Sequence, residues 1–355
     1  MKFDTIIVGG GLAGVCAAAA LSSSARVALI ESHSIASGTS AIGWGLVNPL
    51  MARQAQLVWR GQEALASFEQ FVEAASAHST IDARGLFRPA TDSRQQKFMQ
   101  NAAKRHPGLA DYISPELAKR KYELLNAPHG GLWISRAKGV CIPDFCRCLA
   151  VLAEKRGATI FENHELVGYT HHNGGVRVTV RDNGAEDRIQ LTANNVLLCT
   201  GSAIVKGETG GQLNLHMIKG ESIVVSVPIE IQLIPHLSGS GYAVFHGDSA
   251  TLGSTYDHEF TDDRPSVVNA NKILSKIARM VPNAIDFRVL DHNAGIRVTV
   301  PGTYKPMVGP LPGQPNVWIL TGLGSKGLLM SALISNELHR FFRNPKEIPE
   351  DIRVH

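Results

Sequence analysis

No stretch of this 355-residue chain approaches the ~20 consecutive apolar residues of a membrane helix. The longest apolar runs, such as Val15 to Leu21, are far shorter, and the N-terminus lacks a basic region followed by an apolar one, so a cytoplasmic protein is expected. Cysteine is scarce: there are five, an odd number. Cys141, Cys146 and Cys148 lie close together in CIPDFCRC, but without the C-x-x-C spacing of zinc or dithiol chemistry and without a flanking histidine pair. Reduced, mostly buried thiols are the expectation. The pairs His171–His172 and His246 with His258 lack a third ligand at metal spacing, so no metal is expected. Long blocks of one charge are missing too. With a net charge of +4 and a pI of about 8.8 spread along the chain, a nucleic-acid partner is not indicated.

What is present is enough apolar residue, 44% of the chain, to bury one large or two medium domains. The opening DTIIVGG is an apolar run of strand type that leads into Gly9, Gly11 and Gly14 of VGGGLAG. AGVCAAAALSSS follows with high helix propensity, and ARVALIES forms a second strand ending in Glu31. In such a strand-turn-helix-strand unit, Gly9 permits the tight turn, Gly11 lets a pyrophosphate approach the backbone, and Gly14 lets helix and strand pack closely. The free amides at the helix start face the phosphates, and Glu31 accepts from a ribose hydroxyl. The unit predicts an adenine dinucleotide site, for NAD or FAD.

From Ala158 the chain reads as a strand followed by a three-stranded meander with turns at HNGG and DNGAED, closing in Thr192, VLLCT and Gly201. Nicotinamide dehydrogenases need no such insertion, whereas two-dinucleotide-fold flavoproteins carry one. SIASGTSAIGWGLVNPL reads as a small-residue loop suited to running under a flat ring system. Near the C-terminus, NVWILTGLG is a strand entering a glycine turn and KGLLMSALISNELHRFF a helix with an apolar face. A helix N-terminus aimed at the N1–C2=O edge of a flavin favours the anion formed there on reduction.

Together with ASGTSAIGWGLVNP, VCIPDF, NNVLLCTGS, IKGE, GIRVTVPGTYKPMVGP and GLGSKG, these stretches resemble the D-amino-acid oxidase-like family of FAD-dependent oxidoreductases, which includes glycine oxidase and sarcosine oxidase. The resemblance runs from residue 5 to residue 338. It implies an α/β fold: a two-dinucleotide-binding, Rossmann-like FAD domain with a β-rich substrate domain inserted in pieces. Residues 1–85, 135–212 and 288–355 would bind FAD, and 86–134 and 213–287 would form the substrate domain. Beyond the glycines and Glu31, FAD contacts are implied at Leu12, Ala13, Ser32, Thr39, Ser40, Gly45, Leu46, Val167, Thr200, Gly201, Gly322, Gly324, Ser325, Lys326, Gly327 and Leu328.

For the substrate, the resemblance implies that Arg297 pairs with a carboxylate, that Tyr242 reaches over the substrate, and that Lys326 binds either the flavin O2 edge or that carboxylate. The alternative for Arg297 is a strand arginine held by a local acid, and for Tyr242 a buried strand tyrosine. Lys219 is expected to be structural or at the pocket rim, and His33 exposed. Trp44 stands where smaller residues are usual, either narrowing the pocket or packing against a helix. The glycine-rich loops hold no histidine or cysteine for covalent attachment, so non-covalent FAD is expected. The reaction implied is oxidation of a C–N bond in an amine or amino acid by hydride transfer to flavin N5, with O2 or another electron acceptor. Two alternatives stand beside it: action on a carboxymethylaminomethyl group of tRNA, and flavin binding without turnover.

Overall fold

The structure is a computed structural model that describes residues 1–185, 187–206 and 213–355. The strand Lys2–Val8 ends in an apolar run, Ile6 to Val8, because both of its faces are covered there; Ile6 and Ile7 are fully buried. It pairs in parallel with Val27–Ile30 on one side and with Arg188–Leu198 on the other. Arg188–Leu198 is long enough to serve two further partners along its other edge. Its first half pairs antiparallel with Gly175–Asp182, completing a meander with His164–His172, while its second half carries Gln314–Thr321 in parallel. Thr159–Phe161 extends the sheet beyond Val27–Ile30, and Met307–Leu311 extends it beyond Gln314–Thr321. The helix Leu12–Leu21 is apolar all round because it lies between this sheet and the helices Ile142–Lys155 and Gly327–Arg343. Its alanines Ala17, Ala18 and Ala19 are fully buried, and their small size lets the helices approach closely.

A second sheet has eight strands in the order 289–299, 216–226, 249–253, 242–246, 236–238, 86–89, 131–134, 111–113. Its apolar face packs on Ile273, Leu274 and Ile277 of the helix Val267–Ala278. The strand after the expected boundary at residue 288 is paired with this second sheet. Val289–Thr299 pairs along its length with His216–Ser226, so it belongs to the second sheet, and the chain returns to the first only after Thr299. The other expected boundary, at 212, lies outside the described residues. The small-residue segment read as a loop contains a 3-10 turn, Thr39–Ala41, and a strand, Trp44–Val47, that pairs with Lys138–Cys141. No helix among the described residues is long and apolar enough to cross a membrane.

His236 couples the second sheet to this small third one. Its ring is fully buried; Nδ1 accepts from the Phe245 amide at 3.2 Å, so the neutral ring carries its proton on Nε2, 3.2 Å from the Asp82 carbonyl. A Cβ at Gly139 would stand 2.7 Å from Nε2, so only glycine leaves room for the ring. Burial pushes the imidazole pKa down to about 4. The unfolded chain therefore binds this proton first as pH falls. The stabilisation is complete above pH ~6.5 and is lost on the way down to pH ~4, an effect on the order of 3 kcal/mol. Thermal unfolding midpoints measured from pH 7.5 to 4.5 should fall, and His236→Asn, which keeps an acceptor for the Phe245 amide, should show a flatter profile.

Candidate active site

The turn after Lys2–Val8 is built from close backbone contacts. Gly9 has φ of +106°, and a Cβ there would lie 2.5 Å from the Cys199 carbonyl oxygen; a Cβ at Gly14 would run into the Gly9 carbonyl. Gly14 thus acts through packing and does not line the cavity, whereas Gly9, Gly11, Leu12 and Ala13 do. Ser40 reaches over from its turn to accept from the Leu12 amide at 3.1 Å. Glu31 also lines the cavity. Its carboxylate accepts from the Gly10 amide at 2.6 Å and the His33 amide at 2.9 Å, which ties the strand end to the glycine turn.

The cavity measures about 1530 Å³, more than the ~300–1,000 Å³ of an ordinary ligand pocket, and it runs between the two main sheets. A trail of contacts follows its wall. Beyond Ser40, the Thr39 hydroxyl donates to the Ile296 carbonyl at 2.9 Å; next along that strand is Arg297, bonded to Ser254. Ser32, Gly45, Leu46, Thr200 and Gly201 line the cavity, as do Gly322, Gly324, Ser325, Gly327 and Leu328 around the start of the last helix. Gly45 is wedged against Ile142, where a Cβ would meet its side chain at 2.7 Å.

Two of the residues expected at the cofactor are not part of the cavity lining. Val167 is the extra residue of a β-bulge between Leu166 and Gly168, and the bulge leaves it 45% exposed while Leu166 lines the cavity. Lys326 does not line the cavity either. Its ammonium donates to the Tyr304 carbonyl at 2.7 Å and sits over the Tyr304 ring, where burial lowers its pKa. Trp44 packs rather than narrows the pocket: it stacks on His246 at 4.8 Å. Lys219 is structural, held by the Arg264 carbonyl and by Glu221 and Asp262, and His33 is exposed at the cavity rim.

Arg297 and Tyr242 do meet in the cavity, and glycines of the second sheet make this possible. A Cβ on Gly220 would collide with the Arg297 guanidinium, and one on Gly253 would stand 2.5 Å from the Tyr242 ring. Each side chain lies flat across a neighbouring strand. Arg297 donates through Nη2 to the Thr255 carbonyl at 2.9 Å and the Ser254 hydroxyl at 3.2 Å, and the Tyr256 ring covers it at 4.5 Å. No carboxylate lies within 4.0 Å of it among the described residues, and Nη1 and Nε have no protein partner there. Burial pushes the Tyr242 phenol up, against the opposing pull of Arg297, so it is a neutral donor. Sequence reasoning missed Gly220, Ser254, Tyr256 and Lys276, which reach the cavity through pairings distant in sequence.

The family described as FAD dependent oxidoreductase (DAO) matches residues 4–339. The chain belongs to that family. It is similar to the tRNA 5-methylaminomethyl-2-thiouridine biosynthesis bifunctional protein MnmC of Nitrosospira multiformis, 27% identical over 94% of this chain, but it spans only 56% of that protein's length. The glycine oxidase of Pseudomonas aeruginosa is 26% identical over 93% of this chain and 92% of its own. Among solved structures, glycine oxidase from Geobacillus kaustophilus superimposes with a TM-score of 0.83 at 21% identity, covering 98% of this chain and 95% of that one. The cofactor of this FAD-dependent oxidoreductase fits the residues present: the positive-φ turn at Gly9, the amides of Gly11 and Ala13, and Glu31 suit the pyrophosphate and ribose, and the cavity extends past the last helix start toward Arg297.

Cys199 reaches the cavity wall beside Gly9, at the pyrophosphate turn, and burial pushes its thiol pKa up, so it is no nucleophile for the flavin ring. Acid precipitation of the purified yellow protein should release free FAD into the supernatant; colour left on the pellet would mean attachment. Gly220→Ala should push the guanidinium off its seat, lowering kcat/KM for a carboxylate substrate by about 10- to 100-fold through KM, the worth of a charge-assisted pair, with flavin content unchanged.

Proposed function

We propose that this enzyme oxidises the C–N bond of an amino acid or secondary amino acid. The observation that carries the reading is the Arg297 guanidinium, which faces a flavin-sized cavity with no carboxylate to neutralise it among the described residues. A planar fork with two uncommitted donors matches a substrate carboxylate. FAD, when bound, supplies the two-electron oxidant; the substrate loses a hydride from carbon and a proton from nitrogen, and water hydrolyses the imine.

The chain's own residues position the substrate. Arg297 holds the carboxylate, the Tyr256 ring covers one face of the guanidinium, and Tyr242 offers a neutral hydroxyl within the field of Arg297. No protein base is required when the amine binds neutral. O2 or another acceptor takes the electrons in the second half of the cycle. The relation to MnmC favours one other reading, action on a carboxymethylaminomethyl group of tRNA. Binding of tRNA that falls steeply with added salt would support it.

Anaerobic mixing with a panel of amines and amino acids should bleach the flavin; absence of bleaching throughout would leave a flavin-binding protein without turnover. Arg297→Met should lower kcat/KM for amino acids by about two to four orders of magnitude, the cost of leaving a desolvated carboxylate unpaired. An amine without a carboxylate should lose far less. Equal losses on both, or loss of FAD, would make Arg297 a structural residue.

A further inference from the structure

We infer that the cavity contains a second anion subsite, formed by Lys276 and Arg279 beside Arg297, and that the substrate is an amino acid carrying a second acidic group, a carboxylate or a phosphate. This rests on the amine-oxidation reading above. Lys276 lies in the last turn of the helix Val267–Ala278 and Arg279 follows three residues later, so both fall on one face. Both line the cavity. Lys276 donates to the Ser254 carbonyl at 3.3 Å, and the Ser254 hydroxyl accepts from Arg297 at 3.2 Å, so one residue joins the two cations.

The helix C-terminus makes cations tolerable there, but it does not account for the absence of a counter-charge. Among the described residues no carboxylate lies within 4.0 Å of Lys276, Arg279 or Arg297. The acids on the cavity wall are already engaged. Asp92 pairs with Arg53 and caps Gln95, Glu165 pairs with Arg181, and Glu31 accepts from the Gly10 and His33 amides. Glu221, fully buried, accepts from Ser266 and Asn269 and sits against Lys219 and His292. A substrate with one carboxylate neutralises Arg297 and leaves Lys276 and Arg279 on the cavity wall without a counter-charge among the described residues. A dianion relieves the repulsion on both sides of Ser254.

The test compares matched pairs on the FAD-loaded enzyme: glycine with N-carboxymethylglycine, alanine with aspartate in both enantiomers, and serine with phosphoserine, the last separating phosphate from carboxylate. We expect kcat/KM for the diacid to exceed that of its monoacid by about tenfold or more, Lys276→Met to lower that ratio by about 10- to 100-fold, and Lys276→Glu to invert it. Arg297→Met should depress both members of each pair. Equal rates for mono- and diacids, or a ratio untouched by Lys276→Met, would overturn the subsite.

Should no pair bleach the flavin, the amine-oxidation reading fails, and the subsite is read separately by titrating succinate against propionate through the flavin absorbance. Salt-sensitive binding of succinate, about tenfold tighter than propionate and lost in Lys276→Met, would support the subsite; equal affinities would overturn it. Salt-steep binding of tRNA through Lys276 with no preference for diacids would also overturn it.

Discussion

The backbone contact between Gly9, Gly14 and the end of Arg188–Leu198 is the constraint on which the rest of the architecture hangs. At Gly14 a side chain would occupy the place of the Gly9 carbonyl, and at Gly9 it would meet that of Cys199. With both absent, the helix Leu12–Leu21 seats directly on the strand-turn junction, and its alanine surface admits two further helices. One of these is Gly327–Arg343. Its seat on the first helix brings Gly324, Ser325 and Leu328 to the same cavity as the phosphate turn, three hundred residues away in sequence. The cradle and the far wall of the cofactor site are therefore held by a single packing event.

A second constraint governs the substrate side. An arginine brought partly out of water needs compensation, and here it comes from two hydrogen bonds and an aromatic face rather than from a carboxylate. That choice keeps the charge available. An internal acid would have stabilised the empty site and competed with the substrate. Glycines 220 and 253 let the guanidinium and the phenol lie along the sheet rather than stand out from it, so the two groups converge without closing the cavity. The strand Val289–Thr299, fastened to the Thr39 turn at Ile296, delivers Arg297 to the cofactor side although its pairing is with the second sheet.

The fold class, the cofactor and the family were legible because they rest on local patterns. A β-branched strand, three spaced glycines and an alanine-rich helix constrain one another within twenty residues, and the meander and the last strand-helix unit repeat the logic. Legibility failed where a side chain's direction depended on something other than its neighbours in sequence. The bulge at Val167 is announced by no residue pattern, and the Lys326 ammonium takes its direction from the Tyr304 carbonyl, 22 residues away in sequence. The pairing of Val289–Thr299 with His216–Ser226 was not legible because a strand's sequence does not name its partner.

By itself, then, the sequence determined that the chain folds around an FAD dinucleotide and carries an arginine in a family-like motif, since turns, helix starts and strand periodicity are set by covalent neighbours. Only the tertiary structure decided what that arginine faces. Whether a charge is neutralised depends on groups brought near it through space, and Ser254, Tyr256 and Lys276 come from segments whose approach to Arg297 is fixed by sheet pairing and helix packing rather than by their order along the chain.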